Sequence, residues 1–191
     1  MKASYHHGDL RDELIQTGLQ MIRQCGIEHL SLRKLSSICH VSEAAPYSHF
    51  KNKDELLMAM QEFITQQLQT CLENAYENTK PEHSADSILN MGKAYVLFFI
   101  QYPEYYTFLF SQPCINIDLS LQSSGDSFAP FQYYKEKVHF VYRKQGLSDE
   151  RIKYGIIAMW AKVHGIAAIA SMRCVTRDFE WEDILDHVLV E

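Results

Sequence analysis

The chain has 191 residues, of which 47% are hydrophobic and 22% charged, enough for a substantial core and typical of an ordinary globular protein. Its formal net charge of −6 excludes a general polyanion-binding protein, although residues 1–53 alone hold seven basic against five acidic residues. No apolar run has the length of a secretion signal or of a membrane span, so the sequence predicts a cytoplasmic protein without a membrane partner.

Three helices are predicted in the first fifty residues from the helical spacing of apolar side chains. The first begins at Asp9 and stops at Gly26, the second follows the cap residue Ser31, and the third runs from the cap residue Ser42 to about Phe50. The side chains expected to face the core are those of Leu14, Gly18, Met21 or Ile22, Cys25, Leu32, Leu35 and Cys39.

Six more helices are predicted in the remainder of the chain, the first of them capped by Asn52 and broken near its end by Pro81. Residues 111–127 combine Pro, Gly, Ser and Asp without a helical period, which predicts a loop. No period-two pattern bounded by hairpin turns is present, so the predicted fold class is all-α. The six helices are expected over residues 52–80, 84–101, 103–110, 128–145, 148–172 and 179–190.

The second and third helices are short, and a tight turn at His40 and Val41 separates them. Two such helices packed on a preceding helix form the helix-turn-helix unit, which places a thin helix in the major groove of DNA. We therefore expect a three-helix DNA-binding head at residues 1–50 and a larger helical regulatory and dimerisation body at residues 51–191.

A specific residue pattern runs through this head and supports the same interpretation. Over residues 9–60 the chain strongly resembles the TetR family of bacterial repressors. Two shorter segments, Tyr5-His6-His7-Gly8-Asp9-Leu10 and Trp160-Ala161-Lys162-Val163-His164-Gly165, resemble one TetR subgroup with a Trp/His/Gly signature in its C-terminal domain. The segments that carry the family resemblance are Ser31-Leu32-Arg33-Lys34-Leu35, Cys39-His40-Val41-Ser42, Tyr47-Ser48-His49-Phe50-Lys51-Asn52-Lys53 and Glu55-Leu56-Leu57.

The expected DNA contacts follow partly from residue chemistry and partly from the resemblance. Arg33 is the strongest candidate for a base contact, because a guanidinium bonds both acceptors of a guanine edge; a solvated surface arginine is the alternative. The resemblance implies that Tyr47, His49 and Lys53 contact phosphates, with Tyr47 also touching a thymine methyl, while packing within the head is the alternative for Tyr47 and His49. The predicted DNA-binding residues are Ser31, Arg33, Ser42, Glu43, Ala44, Ala45, Tyr47, Ser48, His49 and Lys53.

Two residues of the head depart from the family pattern. His40 stands where the family usually has glycine, and it must adopt a left-handed backbone, which histidine tolerates better than most residues. Pro46 stands where the family usually has leucine, and it removes one hydrogen bond near a helix start. We therefore expect a distorted reading helix.

Fourteen of the twenty-three aromatic residues lie within residues 95–142. On the first helix of this segment the rings recur at i, i+3, i+4 and i+7, which is one helix face. Such a stripe is either ordinary core packing or the wall of a cavity for a mainly apolar ligand, and His164 is either a polar contact of that ligand or a hydrogen-bonded core histidine. The candidate ligand-binding residues are Phe98, Tyr102, Tyr106, Phe110, Phe128, Phe131, Trp160 and His164.

Catalytic and metal-binding motifs are absent from the sequence. It has no nucleophile elbow, phosphate-binding loop, dinucleotide glycine pattern or spaced metal-ligand set, so we expect no enzyme activity, no cofactor and no metal. His6 and His7 offer at most adventitious metal binding. The five scattered cysteines are interpreted as reduced thiols, with a redox-sensing Cys114 as the alternative.

The expected function is ligand-responsive repression by a homodimer bound to a near-palindromic operator in double-stranded DNA. The small-residue run at 165–170 allows close helix approach, so the last two helices, residues 149–172 and 179–190, are expected to pair with their copies across a two-fold axis. Two alternatives stay open. One is an architectural or activating DNA-binding protein without a small-molecule signal, and the other is a helical enzyme or adaptor that retains the head.

Overall fold

A computed structural model describes residues 7–81, 83–111, 115–121, 127–172 and 174–190. Within these residues the fold is all-α, as the sequence predicts, with eight α-helices, two short 3-10 helices and no strand. The α-helices are α1 (His7–Cys25), α2 (Leu32–Ile38), α3 (Lys53–Glu77), α4 (Ala85–Gln101), α5 (Pro103–Ser111), α6 (Ala129–Lys144), α7 (Asp149–Ala170) and α8 (Trp181–Val190), and the 3-10 helices are Ile27–His29 and Ala45–Ser48.

The chain divides into two compact units, Met1–Ile64 and Thr65–Glu191, and the division falls within α3. The first unit contains the predicted helix-turn-helix, and the second contains the aromatic segment. The domain boundary expected near residue 50 follows the predicted reading helix, whereas the first compact unit extends to Ile64. The domain boundary stays a prediction.

The core of the first unit lies along α1, where Leu14 and Ile15 are completely buried. A methyl group placed on Gly18 would lie 3.3 Å from Cε of Met60, so the small residue permits close packing at this point. The expectation that Cys25 faces the core is wrong, because its thiol is exposed. This residue ends α1, and the buried face of the helix extends only as far as Met21.

The end of α1 and the start of α2 follow the predicted capping signals, whereas α1 begins at His7, two residues before the predicted cap Asp9. Gly26 stops α1 with a φ of +89°, a conformation that favours glycine. The hydroxyl of Ser31 caps α2 by accepting a hydrogen bond from the backbone N–H of Lys34 at 3.2 Å. A single 3-10 turn, Ile27–His29, lies between these helices and was not predicted from the sequence.

The third predicted helix is not an α-helix. Between Ser42 and Phe50 the regular structure is the four-residue 3-10 helix Ala45–Ser48, and the side chain of Ser42 does not cap it. Pro46 explains the difference, since it has no N–H to donate to the carbonyl of Ser42 and its ring crowds that carbonyl in an α-helix. The amide of Ala45 bonds to the Ser42 carbonyl at 3.0 Å instead, in the i to i+3 pattern.

The second unit is organised around α4, which packs against α5, α6, α7 and α8. Ser84 and Ser87 form a capping box at its start, so the predicted helix start is confirmed. An ion pair between Lys93 and Asp186 joins α4 to α8. Helix α7 is long and apolar enough to cross a membrane by length and composition alone, but core helices of soluble proteins pass the same test, so this is weak evidence.

Residues 115–121, a part of the predicted loop, contain no helix and are held against α6 by Lys135. This side chain is only 3% exposed, and its ammonium donates to the carbonyl oxygens of Asp118 and Ser120 at 3.0 and 2.9 Å. The carboxylate of Asp118 lies 3.7 Å away, so the buried charge is compensated. Residues 112–114, which include the proposed redox thiol Cys114, and residues 122–126 lie outside the described residues.

Candidate DNA-binding surface and aromatic cluster

The turn between α2 and the 3-10 helix is a Schellman motif. The amide of His40 bonds to the Ser37 carbonyl at 3.4 Å, and the amide of Val41 bonds to the Ser36 carbonyl at 2.9 Å. His40 has a φ of +56°, so the predicted left-handed backbone at this position is confirmed. The motif satisfies the last carbonyls of α2 and redirects the chain toward the predicted reading segment.

Most of the predicted DNA-binding side chains lie on the exposed surface of the first unit. Tyr47 is 55% exposed, and the guanidinium of Arg33 reaches across the turn to Glu43, with Nε 3.1 Å from Oε1. The hydroxyl of Ser48 donates to the Ala45 carbonyl at 2.7 Å. Four residues of the turn and the 3-10 helix, Ser42, Glu43, Ala44 and Ser48, are exposed, and Ala45 is half-buried.

Two of the residues predicted to contact phosphates, Lys53 and His49, are half-buried in the first unit. The ammonium of Lys53 donates to the carbonyl of Ile27 at 2.8 Å, so this side chain also links the start of α3 to the 3-10 turn after α1. His49 is half-buried, and its Nε2 atom is buried without a hydrogen-bond partner among the described residues. Their contacts with DNA stay predictions.

In the second unit, six of the eight candidate ligand-binding side chains come together around His164. The Trp160 and His164 rings stack with centroids 5.4 Å apart, and the Phe110 ring meets His164 edge-on at 4.5 Å. Phe131 packs against Trp160 at 4.7 Å. The six side chains are Tyr106, Phe110, Phe128, Phe131, Trp160 and His164.

The remaining two candidates, Phe98 and Tyr102, belong to a neighbouring group centred on Tyr105. Tyr102 stacks on Tyr105 with centroids 4.8 Å apart, and the Phe98 ring lies 5.6 Å from Tyr102. Among the described ring contacts, Phe98 reaches the first group through its chain neighbour Phe99. The candidate list therefore covers two adjoining ring groups rather than one.

The rings of the first group contact each other closely in the structure. Phe131 and the neighbouring Phe99 are completely buried, and five of the eight ring pairs formed by Phe99 and these six side chains meet edge to face, the arrangement that aromatic quadrupoles favour. Each of the six rings therefore contacts at least one other ring of the group.

His164 is held between two tyrosine hydroxyls, one of which the candidate list omits. The hydroxyl of Tyr95 lies 2.9 Å from Nδ1, and that of Tyr106 lies 3.0 Å from Nε2. Tyr95 shares the helical stripe noted in the sequence, but nothing in the spacing shows that its hydroxyl meets a histidine 69 residues further on.

The contacts of His164 favour one neutral tautomer. Burial lowers the pKa of His164 below its ordinary value of 6.5 and raises the pKa of both Tyr95 and Tyr106. With the proton on Nε2, His164 donates to Tyr106, Tyr106 donates to the His164 carbonyl at 3.5 Å, and Tyr95 donates to Nδ1. The other tautomer leaves the buried Tyr95 proton without an acceptor, which costs free energy.

The stability of the protein is expected to fall as the pH drops through 6.5, and part of this fall is expected to disappear in His164→Gln. The folded-state pKa of His164 is lowered, so between that value and 6.5 the unfolded chain binds more protons than the folded one. The stabilisation is thus complete above pH 6.5 and lost below it. Urea unfolding at pH 7.5 and pH 5.5 measures the difference.

The experiment compares the wild type with His164→Gln at the same two pH values and the same protein concentration. Equal pH dependence in wild type and His164→Gln would contradict the assignment of a neutral, hydrogen-bonded His164.

Comparison with known proteins finds a sequence similarity within the first unit. Residues 14–60 match the family model described as bacterial regulatory proteins, tetR family. The HTH-type nicotine-responsive transcriptional repressor HdnoR of Paenarthrobacter nicotinovorans is 42% identical over 60 residues, which are 31% of this chain and 31% of that protein. An uncharacterized HTH-type transcriptional regulator of Haemophilus influenzae is 30% identical over 73 residues, which are 38% of this chain and 39% of the relative.

Solved structures resemble the chain over nearly its whole length. A protein of unknown function from Rhodococcus sp. RHA1 has a TM-score of 0.72 at 23% identity, covering 99% of this chain and 94% of that one. A TetR-family transcriptional regulator from Haemophilus influenzae has a TM-score of 0.65 at 20% identity, covering 96% of this chain and 93% of that one.

The sequence relatives and the solved structures cover different shares of the chain. The chain spans less than two fifths of the length of each of the two curated relatives it matches, and both are named as transcriptional regulators. The likeness to the solved structures shows that the chain has their all-helical fold over nearly its whole length. The family match is to residues 14–60, within the first unit.

Proposed function

We propose that this chain is a sequence-specific, DNA-binding transcriptional regulator that acts in the cytoplasm. The observation that carries the proposal is the match of residues 14–60 to the TetR-family domain. The exposed Arg33 and Tyr47 on the two sides of the turn suit contacts with base edges and phosphates. The relative from Paenarthrobacter nicotinovorans is named a repressor, and repression is the mode of regulation that we propose for this chain.

We further propose that the regulator is a homodimer formed through α7 and α8. Several large apolar side chains of these helices and of the segment between them are exposed among charged ones, and a methyl group placed on Gly165 would meet no atom within 4 Å. A second copy can therefore approach this helix closely. The large apolar side chains exposed here are Tyr154 (59%), Ile169 (45%), Met172 (60%), Val175 (37%), Val188 (36%) and Val190 (71%). A dimer presents two heads to two half-sites of a near-palindromic operator.

The proposed signal is a small, mainly apolar molecule that binds within the aromatic cluster and releases the DNA. Aromatic walls with few polar groups are typical of sites for flat apolar ligands, and His164 with its two tyrosines supplies a polar contact. The relative from Paenarthrobacter nicotinovorans is named nicotine-responsive, but it matches only 31% of this chain, so its ligand is not transferred to this chain. A coupling of about 1.4 kcal/mol is enough for a tenfold loss of operator affinity.

The body is also proposed to belong to the TetR subgroup with the Trp/His/Gly signature. Trp160 and His164 lie one helical turn apart and stack, and Gly165 follows on the open side of the helix. In this proposal the Trp/His/Gly signature combines the stacked rings of Trp160 and His164 in the aromatic cluster with Gly165 on the proposed dimer surface.

Affinity selection from random and genomic duplex DNA tests the proposed function. We expect the wild-type chain to enrich one motif with two related half-sites about one helical turn apart. Placing that motif at a promoter and measuring transcription separates repression from an architectural or activating role. Failure of any sequence to enrich would favour the alternative of an adaptor or enzyme that retains the head.

Arg33→Ala and Lys53→Ala are expected to weaken DNA binding in different ways. Loss of the guanidinium should cost about 1 to 3 kcal/mol and relax the preference at one base pair, because a bidentate base contact is lost. Loss of the ammonium should weaken all sequences alike and reduce the salt slope of the binding constant by about one unit. Binding isotherms on matched and mismatched duplexes at several salt concentrations measure both effects.

Lys144→Ala is the matched control, because it removes the same charge from an exposed position on α6, which is not one of the proposed interface helices. We expect this variant to keep the wild-type salt slope. Melting temperatures accompany the isotherms, since Lys53 also holds the Ile27 carbonyl. A variant without Arg33 that keeps the full base preference would show that this residue does not read a base.

A further inference from the structure

In the pair formed by Arg33 and Glu43, a predicted base-reading side chain is already bonded to another side chain. The two residues lie on opposite sides of the Schellman turn, ten positions apart, and the bond joins Nε of the guanidinium to Oε1 of the carboxylate at 3.1 Å. Both side chains are largely exposed, at 78% for Arg33 and 69% for Glu43. Neither is held in this position by burial.

Stability does not account for this pair. Exposed ion pairs contribute little to folding, because water screens the charges and the long side chains lose freedom. A carboxylate on a surface that meets phosphates also repels DNA of every sequence. We therefore expect Glu43 to have an effect on DNA recognition that outweighs the general loss of DNA affinity caused by its charge.

The geometry of the bond suggests that effect. A guanidinium carries five N–H donors, and Glu43 engages the one on Nε. The two terminal nitrogens stay available, and they form the edge that bonds both O6 and N7 of guanine. Holding the side chain in this orientation before binding reduces the freedom it loses on DNA, so the contact becomes stronger for the correct base.

The carboxylate itself discriminates between bases. An ionised carboxylate only accepts hydrogen bonds, so it meets the N4 amino group of cytosine favourably and is repelled by the acceptors of guanine and by O4 of thymine. Such a group adds specificity largely by penalising the wrong partner.

We propose that Glu43 is a specificity-determining residue that orients Arg33 toward a guanine and accepts a hydrogen bond from a neighbouring cytosine. This inference rests on the proposed DNA-binding function and assigns a role within that surface. It makes the Arg33 and Glu43 pair one reading unit, although Glu43 lowers the affinity for DNA in general.

The test compares Glu43→Ala, Glu43→Gln and the control Asp12→Asn, an exposed acid on α1. Dissociation constants are measured for the duplex selected by the wild type, for its single-base variants and for a shuffled duplex. We expect Glu43→Ala to bind shuffled DNA as tightly as the wild type or more tightly, yet to lose about tenfold in preference for the selected duplex. Asp12→Asn should leave that preference unchanged.

Glu43→Gln is expected to change which base is preferred, and a purely structural role of Glu43 would not produce this change. An amide pairs with the N6 and N7 positions of adenine, so we expect the preferred base at one position to change from cytosine to adenine. In an Arg33→Ala background, Glu43→Ala should cause little further loss, because the reading unit is already broken.

An unchanged preference and unchanged preferred bases in Glu43→Ala and Glu43→Gln, with Arg33→Ala still losing its preference, would overturn this inference and leave the proposed function standing. Equal binding of selected and shuffled DNA by the wild type would overturn both. Circular dichroism melting of each variant confirms that the first unit is folded in these measurements.

Discussion

Replacing Ile169 with glutamate is expected to give a monomer that binds the operator at least about 100-fold more weakly than the wild type, because two linked heads gain this much over one. Ile169 is 45% exposed on α7, next to the open side of Gly165. A carboxylate here would be buried without a partner in the proposed interface, a strongly unfavourable arrangement. Sedimentation at micromolar concentration measures the assembly, and binding isotherms measure the affinity.

Phe140→Glu is the matched control for this experiment. Phe140 is 48% exposed in the same unit but lies on α6, which is not one of the proposed interface helices, and its ring meets that of His83. We expect this variant to sediment and bind as the wild type does. A wild-type chain that sediments as a monomer, or an Ile169→Glu variant that stays dimeric, would contradict pairing through α7.

The second large effect is expected for Phe131→Ala, which should lower the free energy of unfolding by about 3 to 5 kcal/mol, the usual cost of emptying the site of a buried ring. Phe131 is completely buried, and its ring packs against Trp160 at 4.7 Å. Urea unfolding at one fixed protein concentration measures the loss, because dimer stability depends on concentration. Phe140→Ala removes the same ring from an exposed position, and we expect it to cost less than about 1 kcal/mol.

Benzene is expected to restore part of the stability of Phe131→Ala, since an apolar cavity of this size binds small aromatic molecules. The wild type should gain less, because its rings already fill the space. A Phe131→Ala variant as stable as the wild type would show instead that this ring lines an open cavity in the free protein.

Local signals in the sequence predicted most of the helices and their ends. The predicted caps Ser31 and Asn52 accept the expected backbone hydrogen bond, Ser84 and Ser148 cap the starts of two further predicted helices, and Gly26 ends α1. These features depend on residues within one turn of each other, so they can be read from sequence alone. The left-handed residue at His40 was predicted from the family resemblance instead.

The errors arose where a local pattern competed with a second local effect. Pro46 lies close enough to the start of the third helix to be tolerated at its first turn, yet the whole segment shortens to a 3-10 helix. Cys25 continues the apolar spacing of α1, but the helix ends at this residue and its thiol is exposed.

The candidate sites depend on contacts between distant residues, which spacing does not specify. The stripe on α4 predicted a common face for its rings, but neighbouring helices divide that face. Phe98 and Tyr102 contact Tyr105, while Tyr95 meets His164 on α7. The pair of Arg33 with Glu43 likewise needs the folded turn between them.

The ratio of two dissociation constants tests the central claim most directly. The wild-type protein is titrated with the selected duplex and with a shuffled duplex of the same composition, at physiological salt. A specific regulator should prefer the selected duplex by about 1,000-fold or more. Equal affinity for the two duplexes would contradict sequence-specific DNA binding by this chain.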